Sequence, residues 1–210
     1  MEQICHNAYR ASVALAREKG PFPFLDRRKY LDGAFVCGLP NDIRAAIPGH
    51  GIRNSYLTAI APTGSISLLA GNVSSGIEPI FAPTYRRAVL DETGLVREFE
   101  LTDFSIKLWR GLGHNDQDLP SVFVTARDLP VSAHLEMQAA LQPHVDNAIS
   151  KTLNVPEECS FKEFRRIYET AYDKGLKGCT ANRPNPLRGA VLDGGEAAVD
   201  APHCCVRETD

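Results

Sequence analysis

The first part of the chain carries apolar side chains at helical spacing. They recur every three or four residues over residues 1–19, so they share one face of a predicted helix. The members of this face are Ile4, Ala8, Ala11 and Leu15. Gly20 and Pro21 predict the end of the helix. No capping residue precedes the helix, which leads us to expect a chain that begins inside a larger architecture.

Helical patterns return at later points of the chain. Prolines break residues 22–51 into loops, in which we predict one short helix with Asn41 as its N-cap. The spacing of apolar residues over 104–112 predicts a helical face beside the single tryptophan. Ser132 is a candidate cap for a helix that continues to residue 142.

A capping box opens the last predicted helix. Ser160 and Glu163 have the spacing at which each side chain can bond the backbone N–H of the other residue. The apolar side chains that follow are three and four residues apart, which predicts a buried face. They are Phe161, Phe164, Ile167, Tyr168, Ala171 and Tyr172. Gly175 ends the predicted helix.

Short apolar runs between the helices predict strands. Residues 56–61 (YLTAIA) lie between Asn54 and Pro62 and are typical of a buried strand. Further candidates occur at residues 89–90 and 176–180, and residues 145–153 are predicted to be a helix end that continues into a strand. Helices that alternate with such strands indicate an α/β protein with mostly parallel pairing. The strands are few for a 210-residue α/β domain.

Composition and charge exclude several classes of protein. The chain is 43% hydrophobic and 23% charged, which is typical of a globular protein. Its 23 basic and 26 acidic residues give a net charge of −3, which offers no basis for binding nucleic acid or anionic lipid. No apolar run is long enough to cross a bilayer, and the first residues do not have the layout of a signal peptide. We therefore expect a soluble, cytoplasmic protein.

The turn after the first predicted strand is the main candidate for chemistry. It consists of Pro62, Thr63, Gly64, Ser65, Ile66 and Ser67, and a short helix follows it. A strand that passes through a turn into a helix directs unpaired backbone N–H groups and the positive end of the helix dipole at one point. Gly64 allows an anion close to the backbone, and the three hydroxyl groups add donors. The pattern is compatible with phosphate binding, and the alternative is that Thr63 simply caps the helix.

The six cysteines predict neither a disulfide framework nor a zinc site, because the chain is not short and has no Cys-x-x-Cys pair. Cys204 and Cys205 are adjacent, between His203 and Arg207. A nearby cation lowers the pKa of a thiol, so the pair could carry reducing equivalents on a mobile tail. One alternative is two incidental cysteines at a frayed terminus. Another is a metal site, for which the sequence supplies only three ligands in a row.

Other polar residues give weaker signals, and each has a structural alternative. A loop after the short helix forms either a pocket wall or only a loop; it contains Asn72, Ser74, Ser75, Gly76 and Glu78. Asn182 and Arg183 could contact an anion at a strand end or could hold a turn. Asp146, Asn147 and Lys151 alternate with apolar residues, which indicates hydrogen-bonded structure.

Several stretches, in the same order, resemble the C-terminal part of adenosylcobalamin-dependent (class II) ribonucleotide reductases. The longest is NSYLTAIAPTGSISLLAGNVSSGIEPIFA at residues 54–82. Others are HVDNAISKTLNVPEE at 144–158, AYDKGLKGCTANRPNPLRGAV at 171–191 and AYRASVALAREKG at 8–20. The resemblance covers most of residues 1–192 and becomes thin between residues 87 and 128.

The resemblance implies the C-terminal portion of a ten-stranded α/β barrel that is incomplete as a single chain. It also implies that the turn at residues 62–67 binds the phosphates of a ribonucleotide. The family's radical-bearing cysteine and its finger loop are expected upstream of this chain, so adenosylcobalamin is expected to bind mainly to a partner chain. Cys204 and Cys205 stand in the place of the family's C-terminal thiols, which exchange electrons with a thioredoxin-like reductant.

The sequence as a whole thus predicts a partial catalytic chain of a vitamin B12-dependent ribonucleotide reductase. Residues 1–188 are expected to form part of the barrel and residues 189–210 a flexible tail. We expect activity only with an upstream reductase chain, and no nucleic-acid or membrane partner. The alternative is a non-catalytic remnant or regulatory module. A free-standing phosphate-binding domain is disfavoured by the missing strands.

Overall fold

The computed structural model describes residues 1–80, 82–90, 94–126, 128–156 and 158–183. In chain order these form α1 (Glu2–Lys19), α2 (Arg27–Leu31), α3 (Ala34–Cys37), α4 (Asn41–His50), α5 (Gly64–Leu69), β1 (Thr84–Leu90), β2 (Val96–Thr102), α6 (Phe104–Gly111), α7 (Val131–Leu141), β3 (Thr152–Asn154), α8 (Phe161–Asp173) and β4 (Thr180–Asn182). Short 3₁₀ turns cover Asp116–Asp118 and Gln142–His144. The described chain divides into two compact units, which comprise residues 1–61, 136–150 and 169–179, and residues 62–135, 151–168 and 180–183.

The first helix of the first unit confirms its predicted bounds but not its predicted face. It ends at Gly20, whose φ of 78° suits a residue without a side chain. The predicted face is exposed at Ile4 (62%) and Leu15 (39%). The buried face lies one position further along, and its members are Cys5, Tyr9, Ser12, Val13 and Ala16.

A hydrophobic core forms where α1, the short helices and α4 pack together. Its buried members are Cys5, Tyr9, Val13, Val36, Leu39, Ile43, Ile47 and Ile52. The helix near Asn41 is confirmed, although its N-cap position is taken by Pro40 and Asn41 is its first residue. The region before it contains two further helices, of which α2 is capped by the Asp26 carboxylate through the N–H groups of Arg28 and Lys29.

Residues 56–61 do not form the predicted buried strand. The segment makes one isolated parallel bridge, between Ile60 and Ile149. The N–H of Asn147 donates to the Thr58 carbonyl at 3.0 Å and that of Ser150 to the Ile60 carbonyl at 2.7 Å. Tyr56 is 64% exposed. The prediction of parallel pairing is therefore confirmed here, but only at a single bridge.

The second unit contains a hairpin that the sequence revealed only in part. β1 confirms the strand expected at residues 89–90, and it pairs antiparallel with β2 from Thr84↔Thr102 to Leu90↔Val96. β2 was not predicted, because five of its seven residues are exposed and no apolar run marks it. The predicted helical face over residues 104–112 forms as α6, which begins with the Asp103 carboxylate accepting from the Ser105 N–H at 2.8 Å.

The last helix connects two parallel strands. β3 and β4 pair in parallel from Thr152↔Thr180 to Asn154↔Asn182, and α8 lies between them in sequence. The capping box is confirmed: Ser160 N–H donates to Glu163 Oε2 at 2.9 Å, and Glu163 N–H donates to Ser160 Oγ at 3.3 Å. β4 begins at residue 180 rather than 176, because the Leu176 N–H closes the end of α8 by donating to the Ala171 carbonyl at 3.0 Å.

Candidate functional site

The turn at residues 62–67 presents backbone N–H groups that the helix itself does not use. α5 begins at Gly64, and its first internal hydrogen bond runs from the Ser67 N–H to the Thr63 carbonyl at 2.7 Å. The N–H groups of Gly64, Ser65 and Ile66 therefore have no acceptor inside the helix. Ser65 and Ile66 are exposed, so this end of the turn is open to solvent.

The structure narrows the set of hydroxyl donors at the turn. Thr63 Oγ1 donates to the Ser75 carbonyl at 2.8 Å, and Ser67 Oγ donates to the Val73 carbonyl. The hydrogens of these two hydroxyl groups are thus directed to carbonyls of the chain, whereas the Ser65 side chain is exposed to solvent. Thr63 takes the N-cap position without a side-chain cap bond, so it does not cap α5 through its hydroxyl.

Among the described residues, Gly64 has no neighbour close enough to explain why it lacks a side chain. A Cβ built at this position meets no atom within 4 Å, and the φ of Gly64 lies outside the left-handed region. Neither packing nor backbone conformation therefore requires glycine here. The space beside the residue is open, as close approach of an anion to the backbone requires.

The loop at residues 72–78 supports the turn. Asn72 has a positive φ of 66°, and its N–H donates to the Ser67 carbonyl at 2.8 Å. Its side chain accepts from the Tyr85 hydroxyl at 2.7 Å and donates to the Thr102 carbonyl at 3.1 Å, which links the turn to the hairpin. The sequence left open whether Asn72 forms a pocket wall or only a loop, and its hydrogen bonds support the loop.

Glu78 and Lys151 form an ion pair that the sequence did not reveal. Lys151 Nζ lies 2.8 Å from Glu78 Oε1, with the lysine side chain fully buried and that of the glutamate 25% exposed. Lys151 Nζ also donates to the Thr152 carbonyl at 2.8 Å. The two residues are 73 positions apart in the printed sequence, so only the fold brings them together.

The remaining sequence candidates hold structure or lie elsewhere. Asn182 Nδ2 donates to Asn154 Oδ1 at 3.2 Å, and Arg183 Nη1 donates to the Cys159 carbonyl at 3.4 Å. Both contacts hold the end of β4 in place, which is a structural role. Cys204 and Cys205 lie outside the described residues.

Asp146 confirms the prediction of hydrogen-bonded structure in the first unit. Its Oδ2 accepts from the Tyr9 hydroxyl and the Leu57 N–H, both at 2.7 Å. Its Oδ1 accepts from the Thr58 N–H at 2.8 Å and from Thr58 Oγ1 at 3.1 Å. Burial, and then the bond to Asp146, raise the pKa of Tyr9 far above the usual tyrosine value. The carboxylate is therefore a structural centre of this unit.

Residues 1–181 match the sequence profile of the family described as "Ribonucleotide reductase, barrel domain". The chain belongs to this family. The resemblance inferred from the sequence is thereby confirmed. A "Vitamin B12-dependent ribonucleoside-diphosphate reductase" of Mycobacterium tuberculosis is 32% identical over 208 residues, which is 91% of this chain and 28% of the relative. One of the same description from Thermoplasma acidophilum is 32% identical over 218 residues, 96% of this chain and 26% of the relative.

The fold agrees with that of a solved ribonucleotide reductase. The "Actinobacillus ureae class Id ribonucleotide reductase alpha subunit" superimposes with a TM-score of 0.54 at 20% identity, covering 87% of this chain and 34% of that one. The predicted fold class, a part of an α/β barrel of ribonucleotide reductase type, is thus confirmed. The chain spans about a quarter of the length of the curated relatives that it matches.

Other chemistry in this reductase barrel chain is sparse where the structure describes it. Within the described ranges no group of three or more His, Cys, Asp or Glu residues could hold a metal ion. The helices of those ranges also include none long and apolar enough to cross a membrane.

Burial raises the pKa of the free Cys5 and Cys179 thiols, which disfavours the reactive thiolate. A pocket of about 460 Å³ beside Cys5, His6 and His144 lies in the first unit, away from the turn's residues in sequence.

Proposed function

We propose that this chain is part of the catalytic chain of a vitamin B12-dependent ribonucleotide reductase, which converts ribonucleotides to deoxyribonucleotides for DNA synthesis in the cytoplasm. Two relatives at 32% identity are described as vitamin B12-dependent ribonucleoside-diphosphate reductases, which supports the proposal. In this proposal the barrel part extends over residues 1–188 and the tail over residues 189–210, and the positions from 184 onward lie outside the described residues. An upstream reductase chain completes the barrel and supplies the radical cysteine, so the enzyme is active only with that partner.

The substrate phosphates bind at the turn of Pro62, Thr63, Gly64, Ser65, Ile66 and Ser67. The observation that carries this proposal is the set of three N–H groups, at Gly64, Ser65 and Ile66, that have no acceptor inside α5. Phosphate oxygens accept such bonds well, and the positive end of the helix adds attraction. The open space at Gly64 leaves room for the anion against the backbone.

Adenosylcobalamin is the cofactor of this proposal, and the partner chain holds most of it. The turn offers backbone N–H groups and a hydroxyl, which suit a compact anion rather than the wide face of a corrin ring. The described residues of the turn therefore do not fit the cofactor. Its radical chemistry belongs to the cofactor and to the upstream chain.

The tail thiols Cys204 and Cys205 serve as a redox shuttle. Two thiols that form a disulfide release two electrons and two protons, which is what reduction of one ribonucleotide consumes. A thioredoxin-like protein then reduces the disulfide again. Replacing both cysteines by serine should abolish turnover with the protein reductant and spare turnover with a small dithiol. Equal rates with both reductants would remove the shuttle from the mechanism.

The decisive experiment joins this chain with an upstream reductase chain and assays cobalamin-dependent reduction of a ribonucleoside diphosphate. We expect a stable complex and activity, and a sharply raised KM in Gly64→Asp, because the added carboxylate repels the phosphates. Gly49→Asp is the matched control, since a Cβ at Gly49 also meets no atom within 4 Å. No complex and no activity would favour the alternative of a non-catalytic remnant or regulatory module. An unchanged KM in an active Gly64→Asp complex would exclude the turn.

A further inference from the structure

Lys151 is a buried cation to which the proposed function gives no task. Its side chain is 0% exposed, and its Nζ is bonded to Glu78 Oε1 and to the Thr152 carbonyl, each at 2.8 Å. Removal of an ammonium group from water is costly, and a buried ion pair is weak evidence for stability alone. A role in fixing one particular arrangement of the chain is therefore the better explanation to test.

The Glu78 side chain lies against its own loop and is one quarter exposed. The Ser74 hydroxyl donates to the Glu78 backbone carbonyl at 2.6 Å. A Cβ built on Gly76 would overlap Glu78 Oε2, so glycine at this position leaves the space that the carboxylate occupies. We call residues 74–78 the Glu78 loop. Lys151 thus holds the Glu78 loop through its ion pair with Glu78, and Gly76 leaves the room that the Glu78 carboxylate needs.

The Glu78 loop also holds the turn. The carbonyl of Ser75 accepts from the Thr63 N–H at 3.2 Å and from Thr63 Oγ1 at 2.8 Å. The carbonyl of Thr63 in turn accepts the first internal hydrogen bond of α5 from Ser67. A continuous set of contacts therefore runs from the buried ammonium to the residue that starts the helix.

We infer that Lys151 is a positioning residue for the phosphate-binding turn. Through Glu78 it fixes the Ser75 carbonyl, which orients Thr63 and with it the N–H groups of Gly64, Ser65 and Ile66. This inference rests on the proposed function. Lys151 itself does not contact the ligand, because its ammonium group is buried and already bonded.

The test uses the full chain and measures its affinity for inorganic pyrophosphate by ³¹P NMR titration. We expect Lys151→Met and Gly76→Ala each to weaken pyrophosphate binding about tenfold, because both displace the Glu78 carboxylate. Gly76→Ala keeps both charges, so its effect separates positioning from loss of a cation. Lys151→Arg, which can still reach Glu78, should retain most of the affinity. Arg110→Met is the control, because it breaks only the exposed pair with Asp116 in the same unit.

Hydrogen exchange gives a second readout that needs no ligand. The Thr63 N–H should exchange faster in Lys151→Met and in Gly76→Ala than in the wild type. Because one unpaired buried charge can unfold the chain, the double variant Lys151→Met/Glu78→Gln is measured too, and we expect the same loss of affinity in a folded protein.

The outcomes separate the two proposals. If the wild type does not bind pyrophosphate, or if Gly64→Asp binds it equally well, the phosphate-binding proposal fails. If the wild type binds and Gly64→Asp does not, but the folded double variant and Gly76→Ala bind like the wild type, only the positioning role is overturned. Unchanged exchange at Thr63 in those variants would overturn it as well.

Discussion

The two units of this chain differ in what they bury. In the first unit Tyr9, Ile43 and Ile47 are at most 2% exposed, and they belong to one hydrophobic cluster. In the second unit several large apolar side chains face solvent: Leu69 is 90% exposed, Val122 79% and Leu108 54%. The first unit exposes large apolar side chains too, such as Phe24 at 94%, and the second also buries some, such as Ile106 and Leu153 at 0%. The units differ in that the cluster of buried apolar residues around Tyr9 and Ile47 belongs to the first.

The polar contacts of the two units also differ. Asp146 satisfies four donors from three other residues inside the first unit. In the second unit, polar groups mainly tie short loops together, and N–H groups of the turn remain free of helix acceptors. Uncovered apolar surface is typical of interaction sites. Exposed apolar side chains in both units, such as Phe24 and Leu69, agree with the proposal that further parts of a barrel cover them.

The largest expected effect comes from Asp146→Asn. Both carboxylate oxygens of Asp146 accept hydrogen bonds, and asparagine replaces one of them with an NH₂ group that can only donate. Buried donors from Tyr9, Leu57 or Thr58 then lose their acceptor. We expect the free energy of unfolding of the first unit to fall by about 1–3 kcal/mol for each buried donor left unsatisfied, measured by urea titration. Asp42→Asn is the control, because Asp42 pairs with Arg10 at an exposed position and should leave the midpoint almost unchanged. Equal midpoints for both variants would show that the first unit does not depend on this centre.

Tyr9→Phe should have a smaller effect, about 1–2 kcal/mol, because it removes one donor to Asp146 and retains the ring in the core. Burial and the bond to Asp146 raise the pKa of Tyr9 in the folded state above the ordinary value of 10.0. The stabilisation that the Tyr9 hydroxyl gives by donating to Asp146 is therefore fully present below pH 10, and it is lost as the pH rises toward the higher folded-state pKa. The free energy of unfolding, measured across alkaline pH, should fall less steeply in Tyr9→Phe. An identical slope in both proteins would contradict the assigned burial.

Charges on the uncovered apolar surface should leave stability unchanged and alter association. Leu69→Lys and Leu108→Lys place a cation where the wild-type side chain is 90% or 54% exposed. We expect less dye binding and less light scattering from the isolated chain, with an unchanged urea midpoint. Ile43→Lys is the opposite control, because Ile43 is 2% exposed and the variant should unfold. A loss of stability in the two leucine variants would mean that these side chains are packed rather than exposed.

The smallest effect is expected at the capping box of α8. Hydrogen bonds from the Ser160 hydroxyl and N–H lower the pKa of Glu163 below its ordinary value of 4.5. Its contribution is therefore present above pH 4.5 and is lost as the pH falls through the lower folded-state pKa. The helical circular dichroism signal of the wild type should decrease slightly in that range, and Glu163→Gln should show a weaker pH dependence. The same pH profile in Glu136→Gln and Glu163→Gln would remove the capping box as the cause.

The sequence alone determined the features that depend on neighbouring residues. The bounds of α1 and the capping box of α8 rest on glycine, serine and glutamate at local spacing, and both formed as predicted. The short helix also formed, but it begins at Gly64, inside the predicted turn, rather than after residue 67. The family was also evident, because long stretches such as residues 54–82 carry its pattern. The amides of the turn follow from the same local logic, because every helix start leaves its first N–H groups without an internal acceptor.

The tertiary structure decided which of several equal local patterns is used. On α1 the stripe of Ile4 and the stripe of Tyr9 have the same helical spacing, and contacts with Asp146, 137 residues away, favour the second. Residues 56–61 have a strand's composition but pair at one bridge only. The Lys151–Glu78 pair has no local signature at all. Spacing along a chain records periodicity, whereas burial and pairing depend on which distant groups the fold brings within a few ångströms.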